Sequence, residues 1–167
     1  MAIIYPSFFD SSAPKLPYVY HEKPEQQKPR RITYHSPYLG IERVLDYTPR
    51  EEHGQSFDNV KGIKVCENLI ILREVFINDL LPGDAREILR QFPGRLPNEN
   101  EMKLIYANRS SLCNNLLELG ESPLADSWYL FHKGDGRDEH WNYCLNFSTG
   151  FIVSADCDEC IAALLVA

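Results

Sequence analysis

From Trp141 to Phe147 the chain alternates strictly: Trp141, Tyr143, Leu145 and Phe147 are bulky and apolar, while Asn142, Cys144 and Asn146 lie between them. A period of two predicts a strand with one apolar and one mostly polar face. Just before it, Trp128, Leu130 and His132 point one way and Tyr129 and Phe131 the other. That strand carries bulk on both faces, so both sides are expected to be covered. Ser148, Thr149 and Gly150 follow as a turn with glycine where a positive φ is needed, and Phe151 to Val153 starts a return strand.

Upstream the period lengthens to that of a helix. Pro97 stops any preceding element, Asn98 is a favoured N-cap, and Glu101 can reach back to the cap amide, so a helix should start at Asn98. Met102, Ile105 and Tyr106 form its apolar face. Leu112, Leu116, Leu117 and Leu119 form that of a second helix, closed by Gly120. Val60 to Cys66 and Leu69 to Phe76 are rich in Val and Ile and flank Glu67-Asn68, which predicts a tight hairpin. Pro82-Gly83-Asp84 introduces a further helix through Phe92, with Ile88, Leu89 and Phe92 inward, before Pro93-Gly94 ends it. Gly40 to Asp58 is polar, with Pro49 and Gly54 marking loops. Ile161 to Val166 is a continuous apolar run, expected to form a central or terminal strand near the first hairpin and to draw the domain's ends together.

The order of these residues resembles that of C-type-lectin-like domains of uncharacterised bacterial and phage proteins. It is carried by Leu96, Pro97, Glu101, Tyr106 to Arg109, Trp128, Tyr129, Trp141, Leu145, Phe147 and Gly150, strongest over residues 95–151 and weaker back to Lys61. The resemblance implies an α+β fold, with two or three short helices packed on small antiparallel sheets across residues 41–167. Two departures stand out. Leu130 and Phe131 replace a usual serine pair, and Ala163-Leu164-Leu165-Val166 replaces a usual closing Val-Arg-Pro-Val.

Residues 1–40 read differently. Pro6, Pro14, Pro17, Pro24, Pro29 and Pro37 break any regular period and favour an extended arm. Tyr5, Phe8, Phe9, Tyr18, Tyr20, Tyr34 and Tyr38 give it more aromatic surface than a solvated tail carries. It holds five Lys or Arg against three Asp or Glu, whereas residues 41–167 hold twelve against twenty-one. One reading folds this arm over its own acidic domain. The other docks it on another protein subunit through Tyr5, Phe8, Phe9, Tyr18, Tyr20, Arg30 and Arg31, since extended aromatic segments bind preformed partners by backbone and pocket contacts.

Composition narrows the classes. A chain of 167 residues with 44% hydrophobic and 25% charged residues has globular composition, and its apolar runs are shorter than a membrane span. The formal charge of -7 argues against a general nucleic-acid binder. MAIIYPSFFD, lacking a basic residue before its apolar run and broken by Pro6, is a poor signal peptide. Five irregularly spaced cysteines are expected to be mostly free thiols made in a reducing compartment.

Candidate chemistry lies around the aromatic strands. Lys133, Asp135, Arg137, Asp138 and Glu139, with Asn142 and Asn146, form a polar loop and face expected to hold any ligand. Calcium is disfavoured there, because Tyr143 stands where calcium-binding lectins resemble one another in having aspartate, and Lys133 and Arg137 repel a cation. Cys157 and Cys160 have zinc-knuckle spacing without a second pair; Cys144, Cys113 or His132 would have to complete a site in space. His132 and His140 could pair with Cys144 or Asp138, but no complete catalytic set is legible, so the expectation is no enzyme, no cofactor and no metal. The functional expectation is a structural or display protein, a bacteriophage virion component with an anchoring arm, an exposed head for host attachment and a symmetric oligomeric state. A bacterial surface adhesin for carbohydrate or protein is the second class, and the poor export signal places it behind the virion reading.

Overall fold

The computed structural model describes residues 2–20, 30–36, 39–47, 60–84, 89, 91–133, 142–154 and 161–167; side chains at 30–32, 45–47, 74–79, 83, 142 and 161 are outside that description. Nine strands run in chain order as β1 (Tyr18–Tyr20), β2 (Arg30–His35), β3 (Glu42–Tyr47), β4 (Val60–Cys66), β5 (Leu69–Leu80), β6 (Trp128–His132), β7 (Asn142–Asn146), β8 (Ile152–Ser154) and β9 (Ile161–Val166). Among the described residues two α-helices, α1 (Glu99–Ala107) and α2 (Arg109–Glu118), lie between β5 and β6.

Seven strands form one mixed sheet in the order β1-β4-β5-β9-β6-β7-β8, and β2 and β3 form a separate antiparallel pair. The molecule is therefore mainly β, which corrects the expected α+β, C-type-lectin-like arrangement of helices on small antiparallel sheets. The reason lies in β9. Ala162 to Val166 are buried, with Ala162, Leu164 and Val166 in one core and Ala163 and Leu165 in the other. A strand apolar on both faces belongs in the middle of a sheet. β9 pairs antiparallel with β5 and, at Tyr129↔Ala162, parallel with β6, joining the β4–β5 hairpin and the β6–β7–β8 meander into one sheet.

The two faces are covered by different parts of the chain. Tyr129, Phe131, Leu145 and Phe147 share a core with Met102 and Ile105 of α1 and Leu112 and Leu116 of α2. Leu72, Leu130, Cys144 and Leu165 share the other with Tyr34 of β2, and Leu89, Phe92 and Trp128 pack against it half-buried. Bulk on both faces of β6 thus meets cover on both sides, as its sequence implied. Helix α1 starts at the expected capping box, where the Asn98 side chain accepts from Glu101 N and the Glu101 carboxylate accepts from Asn98 N, both at 2.9 Å. Pro82–Asp84 is a 3-10 turn; residues 85–88 of the expected helix lie outside the described residues.

An isolated two-stranded hairpin is marginal in water, so β2–β3 needs an anchor. Asp84, fully buried, supplies it: Ser36 Oγ donates to its carboxylate, 2.8 Å from each oxygen, and Tyr34 OH lies at 3.4 Å. The Arg43 guanidinium stands 4.0 Å away. The expected arm boundary at residue 40 falls in the turn of this hairpin, so β2, which precedes it, belongs to the packed body.

Candidate functional site

The first twenty residues are the main departure from a free arm. Helix α2 presents Ser110, Asn114 and Glu118 four residues apart, hence on one face, with Asn115 beside them. Together these side chains hold the arm largely by its backbone. Ser110 Oγ donates to Phe8 O at 2.9 Å, and Asn114 Nδ2 donates to Asp10 O and Ala13 O at 3.2 and 2.9 Å. The buried Asn115 amide pairs both ways with Leu16, accepting from its N–H and donating to its carbonyl, each at 2.9 Å. Such an amide acts as a backbone substitute; with nothing to pair it, burial would cost about 1–3 kcal/mol per group. Lys15 and Tyr18 both reach the Glu118 carboxylate. β1 then pairs with β4, and Lys64 N donates to Pro17 O at 2.8 Å.

Aromatic packing secures the leading part. Phe8 meets the edge of Phe147 at 6.2 Å and lies 4.8 Å from the Arg109 guanidinium carbon, which also caps Tyr106 at 4.0 Å. Phe8 and Phe9 are half-buried against the first core, as is Tyr18. These three expected partner-binding residues are thus spent on the chain's own head. Tyr5 and Tyr20 stay exposed, Tyr5 stacked on Phe9 at 4.9 Å and Tyr20 against Tyr18 at 6.4 Å. Arg30 and Arg31 lie in β2 opposite Tyr47 and Asp46, with side chains outside the description.

One carboxylate ties the arm to the far hairpin. Asp126 accepts from Ser7 N at 2.7 Å, Ser7 Oγ at 3.0 Å and Ser148 Oγ at 2.8 Å. Partial burial opposes its charge, yet these hydrogen bonds, with Arg109 nearby, hold its pKa below the ordinary carboxylate value. Glu118 is lowered too, by Lys15 and then Tyr18, while burial and Glu118 push the Tyr18 hydroxyl up. A carboxylate depressed in the docked state contributes its full stabilisation above the ordinary range and loses it as pH falls through the depressed value. The protection factor of the Ser7 amide in hydrogen exchange should therefore hold above about pH 5 and fall as the pH is lowered further, while that of Leu164 in β9 holds. A flat Ser7 profile would remove the carboxylate clamp.

Of the expected ligand surface, Lys133, Asn142 and Asn146 are described, and they lie apart. Lys133 is exposed, its Nζ 4.9 Å over the Tyr143 ring. Asn142 lies opposite His132 at the start of β7, and Asn146 at its end. Those two asparagines are four positions apart along the strand, about 13 Å. Asn146 serves the turn, its Oδ1 accepting from Ser148 N and Thr149 N at 2.9 and 3.0 Å. Gly150, at φ +78°, completes that turn, and a Cβ there would stand 2.9 Å from Tyr106 Oη. Asp135, Arg137, Asp138 and Glu139 lie outside the described residues, as do His140, Cys157 and Cys160. Cys113 and Cys144 sit in cores on opposite faces of the sheet, so they do not converge on one metal. Burial pushes the Cys113 thiol up to about 11, which leaves it protonated and unreactive. Among the described residues no group of three or more His, Cys, Asp or Glu is placed to hold a metal ion, and no helix is long and apolar enough to cross a membrane.

No family model, curated protein or solved structure matches the chain. Its function has to be read from its own surface. Residues 2–9 and 142–154 contain no charged residue or histidine in a chain that is 25% charged. Asp126 joins these two stretches through Ser7 and Ser148, and within them Ile3, Ile4, Tyr5, Phe151 and Val153 are exposed, Ile4 by 87% and Phe151 by 70%. Sequence reading found Tyr5 alone among these. Asn115, Ser110, Asn114, Glu118 and Asp126 also escaped it, although a lone amide inside the apolar stripe of Leu112 and Leu116 was a legible signal of a backbone partner.

Proposed function

We propose that the protein is a non-catalytic structural component that assembles with other protein subunits, and specifically a bacteriophage virion component with its head displayed for host-surface attachment. The observation that carries the assembly reading is the uncharged end: two stretches distant in sequence meet there and leave large apolar side chains in water. Exposed apolar surface marks contacts with other proteins, membranes or ligands, and of these a protein subunit suits an assembly component. The anchor is then the tip of the arm together with the β8 hairpin, while the rest of the arm serves its own head.

Mass spectrometry of particles purified from lysates of cells that make the chain tests this. The wild-type chain should appear in fixed ratio to the major particle protein. A folded variant lacking residues 2–5 and carrying Phe151→Asp should stay in the soluble fraction. Wild-type chain found only in that soluble fraction would contradict the proposal.

A further inference from the structure

The two edges of the large sheet are built differently. β1 follows Pro17, its register shifts between Val19 and Tyr20, and Lys15 and Glu118 stand close by. Those are the features by which natural edge strands avoid pairing with other chains. Among the described residues β8 has none of them. It pairs with β7 in regular register, contains Ile152, Val153 and Ser154, and is preceded by exposed Phe151. Asn146 N donates to Phe151 O at 2.9 Å, so the alternation of an antiparallel ladder turns the N–H and C=O groups of Ile152 and Ser154 to the open edge.

From this edge we infer that a second copy of the chain docks antiparallel against β8 about a twofold axis, doubling the seven-stranded sheet. The inference rests on reading this end as an assembly face, and names the partner that meets it first. A second copy fits for two reasons. The chain carries a formal charge of -7, and two such molecules repel unless they meet where neither is charged; residues 2–9 and 142–154 are that place. The edge also carries apolar surface: Phe151 and Val153 are 70% and 45% exposed beside it, and the partner's own β8 hairpin would cover them. An isologous contact places the same strand on both sides, and an antiparallel edge, unpaired among the described residues, is complementary to itself.

Sedimentation velocity of the full chain from about 1 to about 100 µM reads the result. The wild type should approach twice the 19.3 kDa chain mass. Ser154→Pro removes an outward N–H without touching the β7 pairing, and Val153→Lys places like charges across the axis. Each should raise the dissociation constant at least about tenfold while circular dichroism and the thermal midpoint stay close to wild type. A wild type that stays monomeric throughout the range, or folded variants that dimerise as well as it does, would overturn the inference. Monomeric wild type that still enters particles would sink the dimer and leave the assembly reading standing; dimers absent from particles would do the reverse.

Discussion

Phe147→Ala should lower the stability of the protein by about 3–5 kcal/mol, the cost of emptying a fully buried aromatic site. Phe147 is 0% exposed and is the ring on which three others converge: Tyr129 at 4.0 Å, Tyr106 at 6.0 Å and Phe8 at 6.2 Å. Those neighbours come from β6, α1 and the arm, so the cavity would open at the junction of sheet, helix and arm. Its backbone N–H donates to Ser127 O at 3.0 Å and would stay in place, confining the change to packing. Phe151, four residues on and 70% exposed, gives the contrast: Phe151→Ala should move stability by less than about 0.5 kcal/mol. Urea unfolding of both variants measures the pair. Equal losses at the two positions would mean that the hairpin is not packed as described.

Local structure was legible wherever one short-range rule decided it. Asn98 and Glu101 announced the start of α1, Glu67-Asn68 the β4–β5 turn, and Gly150 the turn before β8, because capping and positive φ are settled within a few residues. Global arrangement was not legible, since it depended on which edges β9 chose. Its uninterrupted apolar run allowed a central strand, but nothing local said that β5 would hold one side and β6 the other. The arm shows the same limit. Its prolines argued against a helix, and residues 2–20 and 30–36 hold none, yet β1 forms only because β4 offers an edge, and Asn115 pairs with Leu16 across a separation of 99 residues. The uncharged ends of the surface were visible as composition; only Asp126 reveals that they meet.

The arm carries the second large effect. Deleting residues 2–20 removes β1, strips the half-buried Phe8, Phe9, Leu16 and Tyr18 from the first core and leaves the Asn115 amide buried without Leu16. The burial lost is several kcal/mol in gross terms, and the entropy of ordering the segment offsets part of it, leaving a net loss of about 3 kcal/mol. For a chain of this size that lowers the thermal midpoint by about 10 °C. Deleting residues 2–5 alone, whose Ile3, Ile4 and Tyr5 are exposed, should shift it by less than about 2 °C. These two truncations separate an integral segment from an anchoring tip. The deciding measurement is calorimetry on the full chain beside the two truncated ones: a large drop for the longer deletion and almost none for the shorter is expected. A chain lacking residues 2–20 that unfolds at the full-length temperature would contradict the account.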